Sequence, residues 1–133
     1  MPAHYSISDL AKEFAVTTRT IRHYEEQGLL SPQRQGTVRL FTPRDRARLK
    51  LALRGKRLGF TLRDIRELFE LFDLAKSEKQ QLMMFLAKLE KHRANLEQQK
   101  ADITVMLNEI HFFSDQCQRL LANGGAGPSE SVG

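Results

Sequence analysis

Apolar residues return at three- and four-residue intervals in successive runs along this chain, and most runs are introduced by one device. A hydroxyl residue followed three positions on by an acid or amide satisfies the unpaired amides of a first helical turn. Ser6 with Asp9, Thr42 with Asp45, Thr61 with Asp64 and Ser77 with Gln80 all fit, and Pro43 suits a first helical position. Thr17 has no acid three residues on but can cap through its own hydroxyl. Read forward from these caps, the spacing predicts helices over 7–14, 18–27, 43–57, 62–73 and 78–121. The stretch SPQRQGTVRLFT between the second and third holds the turn formers Pro32 and Gly36. It then alternates Val38, Leu40 and Thr42 with Arg39 and Phe41, which predicts a small β-hairpin. The expected class is mainly α with one short hairpin.

The last run carries a second period. With Leu82 at position a of a heptad, Leu82, Leu89, Leu96, Ile103, Ile110 and Cys117 take every a position; Phe85, His92, Gln99, Met106, Phe113 and Leu120 take every d. About 40 residues of helix make a rod roughly 60 Å long, and the short helices before it cannot cover such a seam. A second copy is the simplest partner. Its dimerisation contacts would be Leu82, Phe85, Leu89, Leu96, Ile103, Met106, Ile110 and Phe113. The spacing leaves parallel and antiparallel pairing open. His92 and Gln99 interrupt the seam in its middle, where polar groups fix register at some cost in stability. From Asn123 on, NGGAGPSESVG has almost nothing to bury and is expected to be a disordered tail.

The first two predicted helices meet in a tight connection near Ala15 and Val16. This is the form of a helix-turn-helix, with Leu10, Phe14, Val16 and Ile21 turned inward. At about 100° per residue, Ile21 and Tyr24 point one way along the second helix, and Arg19, Arg22 and His23 the other. Charge then separates the two halves of the chain. Residues 1–66 hold 14 Lys and Arg against 6 Asp and Glu (14 − 6 = +8), and 67–133 hold 7 against 10 (7 − 10 = −3), giving the formal +5. A basic half beside an acidic half fits a polyanion partner for the first and protein or solvent for the second. Nucleic acid leads, ahead of an anionic membrane surface. A helix fits the major groove of DNA, where arginine pairs bidentately with guanine and threonine meets phosphate or a thymine methyl. The helix N-terminus itself favours phosphate.

The single Cys117 leaves no intramolecular disulfide and no thiolate cluster for a structural zinc, which fits a reducing compartment. No apolar run reaches the roughly 18 residues of a spanning helix, and MPAHYSISDL lacks the segments of a signal peptide. A soluble, cytoplasmic protein with no membrane partner is expected. Glu25 and Glu26 are adjacent on a helix and diverge by about 100°, so they form no catalytic pair, and neither an enzyme nor a cofactor is expected. Cys117 at an a position reads as a small buried hydrophobe. His92 and His111 lie about 30 Å apart along one helix, so no metal site forms from them within a chain.

The segments YSISDLAKEFAVTTRTIRHYEEQGLLSP, RLFTPRDRARL and KRLGFTLRDIREL resemble the DNA-binding domain of the MerR family of bacterial transcriptional regulators. IRHYEEQGLL stands for the family's Ile-Arg-x-Tyr-Glu signature, and the resemblance runs from Tyr5 to about Asp73. Phe41 departs from it, standing where the family usually has tyrosine, so a hydroxyl contact to the backbone would be missing there. The resemblance implies a winged helix-turn-helix, with Thr18, Arg19, Arg22 and Tyr24 on the recognition helix. It puts Arg34 and Arg39 on the wing and Lys56 and Arg57 in a second wing. Arg19 is the expected reader of base edges and the others position the protein on phosphates, although Tyr24 reads equally well as a core aromatic. The implied domains are 1–75 for DNA, 76–122 for an antiparallel dimerising coiled coil and 123–133 for the tail.

The resemblance also implies a mechanism. A homodimer would bind an inverted repeat in an overlong promoter spacer and distort the DNA until RNA polymerase engages both promoter elements. LKLALRGKRLGFTLRDIRELFELFD with LEQQKADITVMLNEI is similar to the family's LiuR-like subgroup, associated with branched-chain amino-acid and acyl-CoA degradation genes. An acyl-CoA or related metabolite is then a candidate effector, with phenylalanines and leucines near 68–86 as an acyl pocket or as ordinary core. Two readings compete: an excisionase-like DNA-architectural protein, and a coiled-coil adaptor with no DNA role. The long dimerising helix weighs against the first and the basic half against the second.

Overall fold

The computed structural model describes residues 4–124. Its elements are α1 (Ile7–Phe14), α2 (Thr18–Glu26), β1 (Gln33–Gln35), β2 (Val38–Leu40), α3 (Pro43–Arg57), α4 (Leu62–Leu74) and α5 (Glu78–Ala122). Each helix begins where its cap puts it. Ser6, Thr42 and Thr61 close reciprocal boxes with Asp9, Asp45 and Asp64. Thr17 Oγ1 accepts from the Thr20 amide at 3.1 Å and Ser77 Oγ from the Gln80 amide at 3.1 Å. The Gln80 side chain reaches back one residue further than a standard box, accepting from the Lys76 amide at 2.6 Å. Of the expected tail, Asn123 and Gly124 form a turn, and 125–133 lie outside the described residues.

The connection between α1 and α2 turns on Ala15, which takes a left-handed conformation at φ 55°. Leu10 and Ile21 are fully buried behind it, as the pattern predicts. Phe14 and Val16 depart from that inward set and are only half-buried. The reason at Phe14 is a roof: the Arg46 guanidinium lies 5.8 Å from its ring centre and is bonded in turn to Glu13.

After α2, Gly28 at φ 79° redirects the chain, and Leu29 and Leu30 enter the core, as do Phe41 and Leu49. Phe41 is fully buried, and its backbone bridges Tyr5 through bonds of 2.7 and 2.9 Å, which joins the N-terminus to the end of the hairpin. Asp45 is the one buried charged residue among those described, and its bonds reach both its own capping turn and a distant loop. Its carboxylate accepts from the Thr42 amide and the Ser31 amide, each at 3.0 Å, so the cap of α3 also fastens the loop leaving α2. Helices α3 and α4 meet at Gly55, where an added Cβ would lie 3.1 Å from Ile65 Cδ1.

The chain divides into two compact units, the first reaching Leu86 and the second beginning at Ala87. Every buried side chain among the described residues lies between Leu10 and Phe69. Helix α5, at 45 residues, has none. Leu82, Leu96, Ile103, Met106, Ile110 and Phe113 of its seam are exposed, and Phe85 and Leu89 are half-buried. Apolar exposure is wider than the seam: Val105, Leu107, Phe112 and Leu121 are also open.

Candidate nucleic-acid interface

Helix α2 presents two different faces. Ile21 and Tyr24 are buried, and Arg19, Arg22 and His23 are exposed on the opposite side. Thr18 is half-buried at the first turn, beside a capping hydroxyl pair in which Thr17 and Thr20 Oγ1 lie 3.0 Å apart. Tyr24 is only 6% exposed, and burial pushes its phenol pKa up. Its ring therefore belongs to the core, the second of the two sequence readings. At most its hydroxyl edge is left for DNA.

The hairpin stands beside this helix as two three-residue strands, with Gln33 opposite Leu40, Arg34 opposite Arg39 and Gln35 opposite Val38. Gly36 makes the tip at φ 63°. The register sets two guanidiniums directly across from each other, an arrangement that destabilises a strand pair unless an anion intervenes. Glu25 of α2 is that anion. Its Oε2 accepts from Arg34 Nη2 at 2.8 Å and its Oε1 from Arg39 Nε at 2.6 Å. Burial pushes the Glu25 pKa up, but the hydrogen bonds from Arg39 and Arg34 outweigh it and hold the carboxyl below its ordinary value. The expectation that Glu25 forms no catalytic pair gave it no role; the hairpin register, with Arg facing Arg, is the signal that could have found one.

The last turn of α3 is basic, with Arg54, Lys56 and Arg57, and Lys56 and Arg57 are exposed. Gly59 at φ 91° turns the chain toward α4, and the Phe60 amide bonds the Gly55 carbonyl at 3.0 Å. Arg66 of α4 reaches across to the Gln27 carbonyl at 3.3 Å, which ties α4 to the end of α2. Other cations are engaged inside the unit: Arg46 with Glu13, and Arg44 and Arg48 with Asp73. The basic character of the first half thus resolves into internal fasteners and an outward set on α2, the hairpin and the end of α3.

A groove of about 510 Å³ between α3 and α4 contains Phe69 and Phe72, the region read from sequence as a potential acyl pocket. Asp73 crosses it, accepting from Arg48 at 2.6 Å, and Arg48 stacks 5.0 Å over the Phe69 ring. Its lining is mixed, with Ala47, Leu51, Phe69 and Phe72 beside Arg44, Arg48, Asp73 and Gln81. Cys117 is a free, half-buried thiol. Among the described residues no group of three or more His, Cys, Asp or Glu is placed to hold a metal ion, and no helix is long and apolar enough to cross a membrane.

A helix-turn-helix followed by a hairpin wing, with cations on both, defines a winged helix-turn-helix protein of the kind that docks on duplex DNA. Comparison with known proteins narrows the class. Residues 5–71 match the model of the MerR HTH family regulatory proteins, and 46–111 match the MerR DNA-binding model. The chain belongs to the MerR family. It is 42% identical over 69 residues to the HTH-type transcriptional regulator ZntR of Escherichia coli K12, a match over 50% of this chain and 49% of that protein. This chain thus spans about half the length of that relative. A probable heavy metal-dependent transcriptional regulator of Haemophilus influenzae is 30% identical over 115 residues, 85% of this chain and 88% of that one. Among solved structures, HiNmlR, a MerR family regulator lacking the sensor domain and bound to promoter DNA, superposes with a TM-score of 0.53. It is 25% identical, over 91% of this chain and 95% of that one.

Proposed function

We propose that this protein is a homodimeric, sequence-specific DNA-binding transcriptional regulator. The observation that carries the reading is the joint presentation of Arg19 and Arg22 on α2 with Arg34 and Arg39 on a wing fastened beside it. Arg19 reads base edges, while Thr18, Arg22, the wing arginines, Lys56 and Arg57 hold phosphates and set register. The exposed seam of α5 supports pairing with a second copy, and the two recognition helices then address the half-sites of an inverted repeat. Distortion of a promoter spacer, to the benefit of RNA polymerase, is the mode of control most in keeping with the family, and it makes DNA deformability part of specificity. Resemblance to the LiuR-like subgroup would place branched-chain amino-acid and acyl-CoA degradation genes in its regulon. The effector is a different matter. The Haemophilus relative is described as heavy metal-dependent, so a metal ion stands ahead of the acyl-CoA first expected. With Cys117 as the single thiol, a metal would need ligands from both chains.

Footprinting on the DNA around its own gene, at two salt concentrations, tests the reading. A protected, symmetric site between promoter elements supports a spacer-binding regulator. Protection elsewhere favours an architectural role, and none at either salt removes the DNA reading altogether.

A further inference from the structure

Two three-residue strands are too short to hold a hairpin by themselves. Here they are mostly exposed, and they carry like charges at directly opposed positions, Arg34 and Arg39. The wing therefore needs an external tie, and Glu25 supplies one from the recognition helix itself. The tie is sparing in what it uses. Arg34 donates through Nη2 and Arg39 through Nε, one nitrogen each, so the remaining N–H donors of both guanidiniums stay available on the wing surface. The Arg34 side chain is 47% exposed and that of Arg39 23%, against 19% for Glu25 between them.

We propose that Glu25 is a specificity-determining positioning residue: it orients both wing arginines toward backbone phosphates at a fixed offset from the base-reading face of α2, and its charge restrains their indiscriminate attraction to any duplex. This rests on the wing meeting DNA. The two effects have opposite signs on the two kinds of binding. Orientation favours only the duplex whose phosphates lie in register when α2 is correctly seated, because a guanidinium already held in place loses little freedom on contact. The negative charge, in contrast, weakens attraction to every phosphate lattice, whatever its sequence. An arginine pair without Glu25 would bind DNA more readily and read it less well.

The test uses the full chain with two probes of equal length, a duplex enriched from a random pool by the wild-type protein and an unrelated duplex, across a salt series. Glu25→Gln removes the charge and keeps the size. The expected result is a fall of at least tenfold in the ratio of specific to non-specific affinity, with non-specific affinity itself raised. The salt slope should steepen by about 0.9 for each further phosphate that the protein neutralises. Glu25→Asp keeps the charge but cannot span both arginines; its slope should stay at the wild-type value while the affinity ratio falls. Equal loss on both probes for Glu25→Gln, or an unchanged slope, overturns the proposal and leaves Glu25 a purely structural fastener. If Glu25→Gln fails to fold, Glu25→Asp decides: an unchanged affinity ratio sinks the orienting role. Arg34→Gln separates the premise from the proposal. Unaltered binding by Arg34→Gln and Arg39→Gln would show that the wing does not meet DNA, whatever Glu25 does.

Discussion

The seam of α5 can be tested down to the residue. In an antiparallel pair, a positions face d positions, so opposed residue numbers add to a constant. Pairing Leu82 with Leu120 fixes that constant at 82 + 120 = 202, and every other a and d residue then finds a partner: Phe85 with Cys117, Leu89 with Phe113, His92 with Ile110, Leu96 with Met106 and Gln99 with Ile103. Sliding by one heptad moves opposed positions apart by about 10 Å and leaves layers unpaired at both ends. A disulfide tolerates Cα separations only up to about 6.8 Å. Phe85→Cys should therefore cross-link to Cys117 of the partner, twice per dimer by symmetry, giving a species of 2 × 15.3 = 30.6 kDa on a non-reducing gel. Since Cys117 is the only native cysteine, peptide mapping identifies the bond without ambiguity. Wild-type protein should stay uncross-linked under the same mild oxidant. Cross-linking of the wild type through Cys117 would mean a parallel pair. A Phe85→Cys protein that is dimeric yet forms no bond between the introduced thiol and Cys117 would refute the register. If loss of the phenylalanine weakens the dimer, paired cysteines at 82 and 120 with Cys117→Ser test the same constant.

Arg19→Ala should abolish sequence preference yet keep non-specific binding, whereas Lys56→Ala should weaken all duplexes alike and reduce the salt slope by about 0.9; titrations on the two probes distinguish them. Asp45→Ala leaves the Thr42 cap bond to the residue-45 amide in place and should cost about 1–3 kcal/mol for the Ser31 and Thr42 amides it leaves without partners, measurable by urea denaturation. Gly55→Ala should gain up to about 1 kcal/mol of helix propensity but lose about 1–3 kcal/mol to crowding against buried Ile65, a net destabilisation in the same assay. Because the Glu25 pKa is lower in the folded chain than its ordinary 4.5, its stabilisation is complete above that value and is lost as pH falls through the folded one. The stability gap between wild type and Glu25→Gln should be constant from about pH 5 to 7 and close in acid.

Much of this fold was legible because its instructions are local. A hydroxyl cap places each helix start, and α2, α3, α4 and α5 begin within a residue of where Thr17, Thr42, Thr61 and Ser77 put them. The outward face of α2 followed from a 100° repeat in the same way. What periodicity missed lies across sequence distance. Nothing in the spacing of Glu25 says that a strand register nine and fourteen residues on will bring two arginines to it. Asp45 was legible as a cap, but its bond to the Ser31 amide depends on how the loop after Leu30 packs. Phe14 looked inward by pattern; a guanidinium from α3 covered it instead. The apolar residues outside the heptad, Val105 and Phe112 among them, show a surface broader than a two-helix seam, which the a and d count alone did not register.

The position of the last buried side chain has a consequence for how the molecule is made. Core packing closes at Phe69, before α5 begins at Glu78. On a ribosome, the DNA-reading unit has all of its interior in hand while the long helix is still being synthesised. Its shape then does not depend on pairing, and in the proposed dimer only the spacing between two readers waits on concentration. In that proposed dimer, newly made chains would meet with their reading heads already formed.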